Sequence, residues 1–155
     1  MSTSYFPKAP LTDHLIVVAK EIGFPVGDAN YPDDDHGWQG EPNEAATNFI
    51  PWYVIVPGQA GTSSGPMESS QADWRMPYYV TISGVTRAQT EMMSDLLRKS
   101  LISQQRVRVD CYGDKWAIQQ VRVVSVGGIS RQSAINPSYF LQTDTVEIWY
   151  SKDLT

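Results

Sequence analysis

Three β-prone segments follow one another in the last third of the chain and constrain the fold more than any other feature. Residues 106–112 alternate between small apolar and charged side chains, which is the period of a strand with one buried face. Residues 113–114 (Gly-Asp) predict a turn, residues 116–126 a return strand, and residues 127–128 (Gly-Gly) a bulge or bend. Residues 139–150 predict a last long strand, whose apolar phase contains Phe140, Val146, Ile148 and Tyr150.

A first helix is predicted over residues 11–22, where apolar side chains recur at helical spacing. These apolar side chains are Leu11, Leu15, Val18, Ala19 and Ile22. Gly23 stands where a left-handed residue commonly ends a helix, and Pro25 prevents continuation.

A second helix is predicted to begin at Thr86, because residues 86–89 (Thr-Arg-Ala-Gln) have the form of a capping box. In such a box Thr86 accepts a hydrogen bond from the Gln89 amide, and the Gln89 side chain reaches back. The helix is expected to end at about Ser103. Its apolar stripe, expected to face the core with Leu96 at the centre, contains Ala88, Met92, Leu96, Leu97 and Leu101.

Two further strands are predicted over residues 49–56 and 76–85, separated by a long loop rich in Gly and Ser. Residues 30–48 have no periodicity and predict an extended surface loop. The fold class is therefore α+β, with a single mixed or antiparallel β-sheet packed by two main α-helices in the order α-β-β-α-β-β-β. The length of 155 residues fits one domain spanning residues 1–155.

Composition excludes several classes of protein. No apolar run approaches the length that spans a bilayer, and the first ten residues lack the apolar core of a signal peptide, so we expect synthesis in the cytoplasm and no membrane contact. Cys111 is the single cysteine, which excludes an internal disulfide, and we expect it to be a small buried residue.

Charge is distributed unevenly along the chain. Residues 21–74 contain nine Asp or Glu and no Lys or Arg, whereas residues 98–131 contain seven basic and two acidic residues. This asymmetry is either ordinary solvated surface or, in a self-associating protein, a pair of complementary faces.

No constellation of residues points clearly to catalysis. Asp33, Asp34, Asp35 and His36 could offer ligands to a divalent metal, but consecutive loop residues do not converge on an ion unaided, so a solvated acidic loop is favoured. His14 lies near the start of the first predicted helix, and a surface or capping role is expected for it. The glycine-rich segments 58–61 and 127–128 are not followed by the Lys and Ser/Thr of a phosphate-binding loop. A pI near 4.9 argues against nucleic-acid binding.

The order of motifs resembles the tail terminator proteins of long-tailed bacteriophages, particularly siphophages that infect actinobacteria. The resemblance covers about four-fifths of the chain. It rests on GFPVGD (residues 23–28), PWYVIVPG (51–58), SSGPMESSQAD (63–73), SGVTRAQTEMMSDLLRKSL (83–101) and GGISR (127–131). The acidic segment 31–48 is longer than expected for the family, and the closing strand is more aromatic.

The resemblance implies a structural protein without catalytic residues, cofactor or metal. It implies a hexameric ring in the virion, at the head–tail junction, which caps the tail tube, stops its polymerisation and joins a neck or stopper protein. DNA would pass through the lumen without specific binding. Alternatives are another neck, head-completion or minor tail protein, or a small metal-dependent enzyme or ligand-binding domain that uses the loop around His36. The candidate interface residues are Asp33, Asp34, Asp35, Glu41, Glu44, Ser63, Ser64, Glu68, Asp73, Arg106, Arg108, Arg122 and Arg131.

Overall fold

The computed structural model describes residues 5–29, 51–62, 73–132 and 139–152. These residues form two helices and an eight-stranded sheet, so the predicted α+β class and the order of the main elements are confirmed. Three of these strands have only two or three residues and were not predicted. The elements are α1 (Lys8–Lys20), β1 (Val26–Asp28), β2 (Trp52–Pro57), β3 (Gly61–Thr62), β4 (Trp74–Gly84), α2 (Arg87–Ile102), β5 (Arg108–Cys111), β6 (Asp114–Ser125), β7 (Ser130–Gln132) and β8 (Tyr139–Lys152).

The sheet is mixed and has the strand order β1-β2-β4-β8-β6-β5. Among the described strands only β1 pairs in parallel, with β2, and the other pairings are antiparallel. The long strand β8 lies near the middle, with β4 on one side. Its other side is shared, because β6 pairs with the C-terminal part of β8 and β7 with residues 139–141. The strands β6 and β7 therefore succeed one another along the same side of β8.

Both helices pack on one face of the sheet, where the main core lies. The Tyr53 hydroxyl donates to the Met93 carbonyl at 2.7 Å, which ties β2 to α2. The hydroxyls of Tyr78 and Tyr150 lie 2.9 Å apart in the core. Phe6 closes one end of it by stacking on Trp74 with ring centroids 5.0 Å apart.

The first helix ends as predicted but begins earlier. Gly23 has φ +115°, the left-handed conformation that glycine adopts without strain, and its amide donates to the Lys20 carbonyl at 3.1 Å. The helix starts at Lys8, three residues before the first predicted position, Leu11. Pro10 does not prevent this earlier start, because it lies in the first turn, where an amide hydrogen has no partner within the helix.

The capping box of α2 is confirmed in its first half. Thr86 is the N-cap residue, and its hydroxyl accepts from the Gln89 amide at 3.0 Å. The Gln89 side chain reaches back to the amide of Val85 at 2.8 Å rather than to that of Thr86. The helix start is thus fixed by both side chains.

The predicted buried face of α2 is wrong in part. Leu97 and Leu101 are buried as expected and Met93 joins them, whereas Leu96 and Met92 are 37% and 44% exposed. Ala88 is exposed as well. Adjacent apolar residues on a helix lie about 100° apart around its axis, so Met92 and Leu96 form one stripe and Met93 and Leu97 form another. The sheet covers only the second stripe.

The hairpin between β5 and β6 turns one residue earlier than predicted. Tyr112 and Gly113 are its two central residues, with φ of 56° and 91°, as a type I′ turn requires. The interpretation of Arg106 as a residue of β5 is also wrong. Arg106 precedes the strand with φ +73°, and its amide donates to the Ile118 carbonyl at 2.6 Å. Val107, predicted to be buried, is half-buried.

Candidate assembly surface

A buried polar network lies between α2 and the sheet. Asp144 is 1% exposed, and its Oδ1 accepts from the Gly127 amide at 3.0 Å and from Gln142 Nε2 at 2.8 Å. Its Oδ2 accepts from the Ser94 hydroxyl at 2.5 Å. Arg98 Nε lies 3.8 Å from the same oxygen, so a guanidinium offsets the buried negative charge.

This network fixes the corner at which β6 ends. A side chain at Gly127 would place its Cβ 2.1 Å from the Thr143 carbonyl oxygen, so any other residue would force the main chain to shift away from β8. Asp144 holds the Gly127 amide at that point. Because the corner is held, β7 can resume pairing with β8 immediately beyond it.

Sequence analysis did not predict the network, although the alternation of residues in β8 indicates it. Gln142 and Asp144 have the same phase on β8 as Val146, Ile148 and Tyr150, all of which are buried. Two polar residues in a buried phase predict partners under the covering helix. Ser94 supplies one of these partners and is itself fully buried.

The far side of β6 carries a strand edge that the described part of the chain leaves uncovered. The strand β5 pairs with residues 114–117, and the preceding turn contacts Ile118 and, through Gln105 Oε1, the Val121 amide at 3.1 Å. Among the described residues no strand pairs with this side of residues 122–125. We refer to residues 122–126 as the free edge.

The free edge is basic at its first residue and mainly apolar beyond it. Val124 and Val126 are 50% and 48% exposed, and the exposed Arg122 precedes them. Two bulges interrupt β6, between Ile118 and Gln120 and between Val123 and Ser125. Bulges twist an edge and limit indiscriminate strand pairing.

The opposite end of the sheet is acidic. Asp28 is exposed on β1, and the exposed Glu21 caps the C-terminus of α1, which contacts β1. We refer to these two residues as the acidic edge. In the described part of the chain neither carboxylate makes an ion pair, and the same holds for the guanidinium groups of Arg106 and Arg122.

The sequence-predicted interface residues separate into two groups. Arg106, Arg108, Arg122 and Arg131 are all exposed and lie along the β5, β6 and β7 side of the sheet. Asp73 is exposed just before β4. Outside the described residues lie Asp33, Asp34, Asp35, Glu41, Glu44, Ser63, Ser64 and Glu68.

Cys111 and His14, two residue types that often act in catalysis, both contact other parts of the fold here. Cys111 is fully buried, as predicted, and burial raises the pKa of its thiol to about 11. His14 is half-buried, with Nε2 2.9 Å from Gln104 Oε1, which links α1 to the turn after α2.

The same described ranges contain no cluster of metal ligands and no membrane-spanning helix. No three His, Cys, Asp or Glu side chains there cluster as metal ligands would, and the segment containing His36 lies outside them. Neither described helix is long and apolar enough to cross a bilayer.

No known family and no curated protein matches the sequence. Among solved structures, the chain is similar to one from the virion of a native gene transfer agent particle, with a TM-score of 0.55 and 11% identity over 97% of this chain and 100% of that chain. A second solved chain of unstated function has a TM-score of 0.49 and 12% identity over 96% of this chain and 94% of its own. The likeness to the particle chain establishes a shared fold.

Proposed function

We propose that this chain is a structural subunit of a phage-like virion, and that its place is the end of the tail tube, as a tail terminator. The observation that carries the proposal is the similarity to a chain of a gene transfer agent virion over the full length of that chain. The sequence resemblance to tail terminators, which rests on separate motifs, supports the same assignment.

The described surface supports a role in assembly through contacts. A ring of identical subunits needs two different surfaces on each copy, one of which meets the other on the next copy. The free edge and the acidic edge are two such surfaces, since one carries Arg122 and the other carries carboxylates. We propose a hexameric ring, with the tail tube protein on one side and a neck or stopper protein on the other.

Inactivating the gene in the phage or prophage that encodes the chain tests this proposal. Without a terminator the tube protein continues to polymerise, so we expect tails of excessive and variable length and DNA-filled heads without tails. Electron microscopy of the lysate measures both quantities, and the wild-type gene supplied in trans should restore normal length.

Other outcomes would assign the chain elsewhere. Tails of normal length that fail to join heads would indicate a stopper or head-completion protein. A complete lack of tails would indicate a subunit needed to start the tube. Normal infectious particles would contradict a structural role at the junction.

A further inference from the structure

The free edge and the acidic edge lie at opposite ends of one sheet. From β1 to β6 there are four strand spacings, which place the two edges on the order of 19 Å apart. Charges at that separation in solvent lie beyond a Debye length at physiological ionic strength. The opposite charges of the two edges are therefore not satisfied by each other within one copy.

The free edge has the composition of a protein contact. Its apolar part consists of the half-exposed Val124 and Val126, and the exposed Arg122 precedes them. Apolar centres with polar rims are the usual anatomy of interfaces, and arginine is enriched in them. The Asp144 network holds this segment in place from beneath, because Asp144 Oδ1 binds the Gly127 amide.

We infer that the free edge of one copy docks against the acidic edge of a second copy of this chain. Arg122 would then face Asp28 or Glu21 of its neighbour, and Val124 and Val126 would lose their exposure. The contact is head-to-tail, so each copy keeps one free edge and one acidic edge until the ring closes. This inference rests on the proposed function for the ring, but it names the surface that joins the subunits.

Site-directed cross-linking of the purified full-length chain tests the contact. We would prepare Val124→Cys and Asp28→Cys as separate variants, both at exposed positions. Each alone treated with a short bismaleimide should remain uncross-linked, and an equimolar mixture should give a covalent dimer. The buried Cys111 is common to all samples and serves as the internal background.

Charge exchange provides the second arm of the experiment. Arg122→Glu should weaken self-association, measured by light scattering or native mass spectrometry at low salt, by on the order of tenfold. Combining it with Asp28→Lys should restore association, because the pair is reversed rather than removed. Lys99→Glu, an equal charge change at an exposed position on α2, should leave association unchanged.

Several results would overturn the inference. These are a chain that stays monomeric at high concentration and low salt, a dimer formed by Val124→Cys alone, and a charge-exchanged variant no better than Arg122→Glu. Because these readouts measure self-association only, their failure is distinguishable from failure of the proposed function, which is measured by tail length.

Discussion

Replacing Asp144 by alanine should destabilise the fold severely, because its buried carboxylate accepts hydrogen bonds from three different residues. The substitution leaves the half-buried Gly127 amide and the buried Ser94 hydroxyl without their acceptor, while Gln142 keeps its contact to Ser94 at 2.9 Å. Each buried donor without a partner costs about 1–3 kcal/mol. Arg98 also loses the nearby carboxylate of Asp144. Together these losses should lower the free energy of unfolding by about 3–5 kcal/mol.

Urea unfolding followed by tryptophan fluorescence measures this decrease. Asp95→Ala is the matched control, since Asp95 also pairs with Arg98 but its side chain is 71% exposed, and we expect a change within about 0.5 kcal/mol. A double-mutant cycle between Asp144→Ala and Ser94→Ala should show coupling of about 1 kcal/mol or more. A loss of less than about 1 kcal/mol for Asp144→Ala would refute the view that this network holds the β6 corner.

Three further outcomes are expected. Leu97→Asp should abolish folding, seen as loss of the cooperative thermal transition, whereas Leu96→Asp should cost about 1 kcal/mol or less because its position is 37% exposed. Gly127→Ala should cost about 1–3 kcal/mol in urea unfolding, and Gly128→Ala should cost little, since a Cβ there meets nothing within 4 Å. Burial raises the pKa of Tyr78 to about 12 from 10.0, so its phenol contributes stability below pH 10 that is lost as pH rises towards 12, by up to about 1.4 kcal/mol per pH unit. The melting temperature of Tyr78→Phe should therefore fall less steeply than that of the wild type between pH 10 and pH 12.

The elements that sequence analysis predicted well are those with strong local determinants. Gly23 ends α1 because the left-handed conformation there favours glycine, whatever packs nearby. Thr86 begins α2 because its hydroxyl satisfies an amide within its own first turn. The alternation of residues 106–112 predicted a strand because one face is buried, although only Arg108–Cys111 has strand geometry. In each case the physical cause lies within a few residues.

The failures arise where tertiary packing decides. Leu96 and Leu97 are both apolar, and only the position of the sheet determines that Leu97 is buried. The strands β1, β3 and β7 have two or three residues each, too few for a periodic pattern. Arg106 belonged to an alternating run, but its positive φ turns the chain into β5. The role of Asp144 depends on α2, 50 residues away at Ser94.

The candidate surface was predicted in its charge but not in its geometry. Residue counts alone showed an acidic region and a basic region of the chain. They could not show that Asp28 and Arg122 would lie at opposite ends of one sheet, because this depends on the strand order. Nor could they show that β5 stops short of covering β6 and leaves Val124 exposed.

The central claim is that this chain ends a tail tube, and its most direct test is tube growth in vitro. Purified tube protein from the same particle would be polymerised with increasing amounts of the chain, and tube lengths would be measured by electron microscopy. The account predicts that mean length falls as the chain is added and that a ring is visible at one end of each arrested tube. Tubes whose length is unchanged, and whose ends are bare at saturating chain, would contradict it.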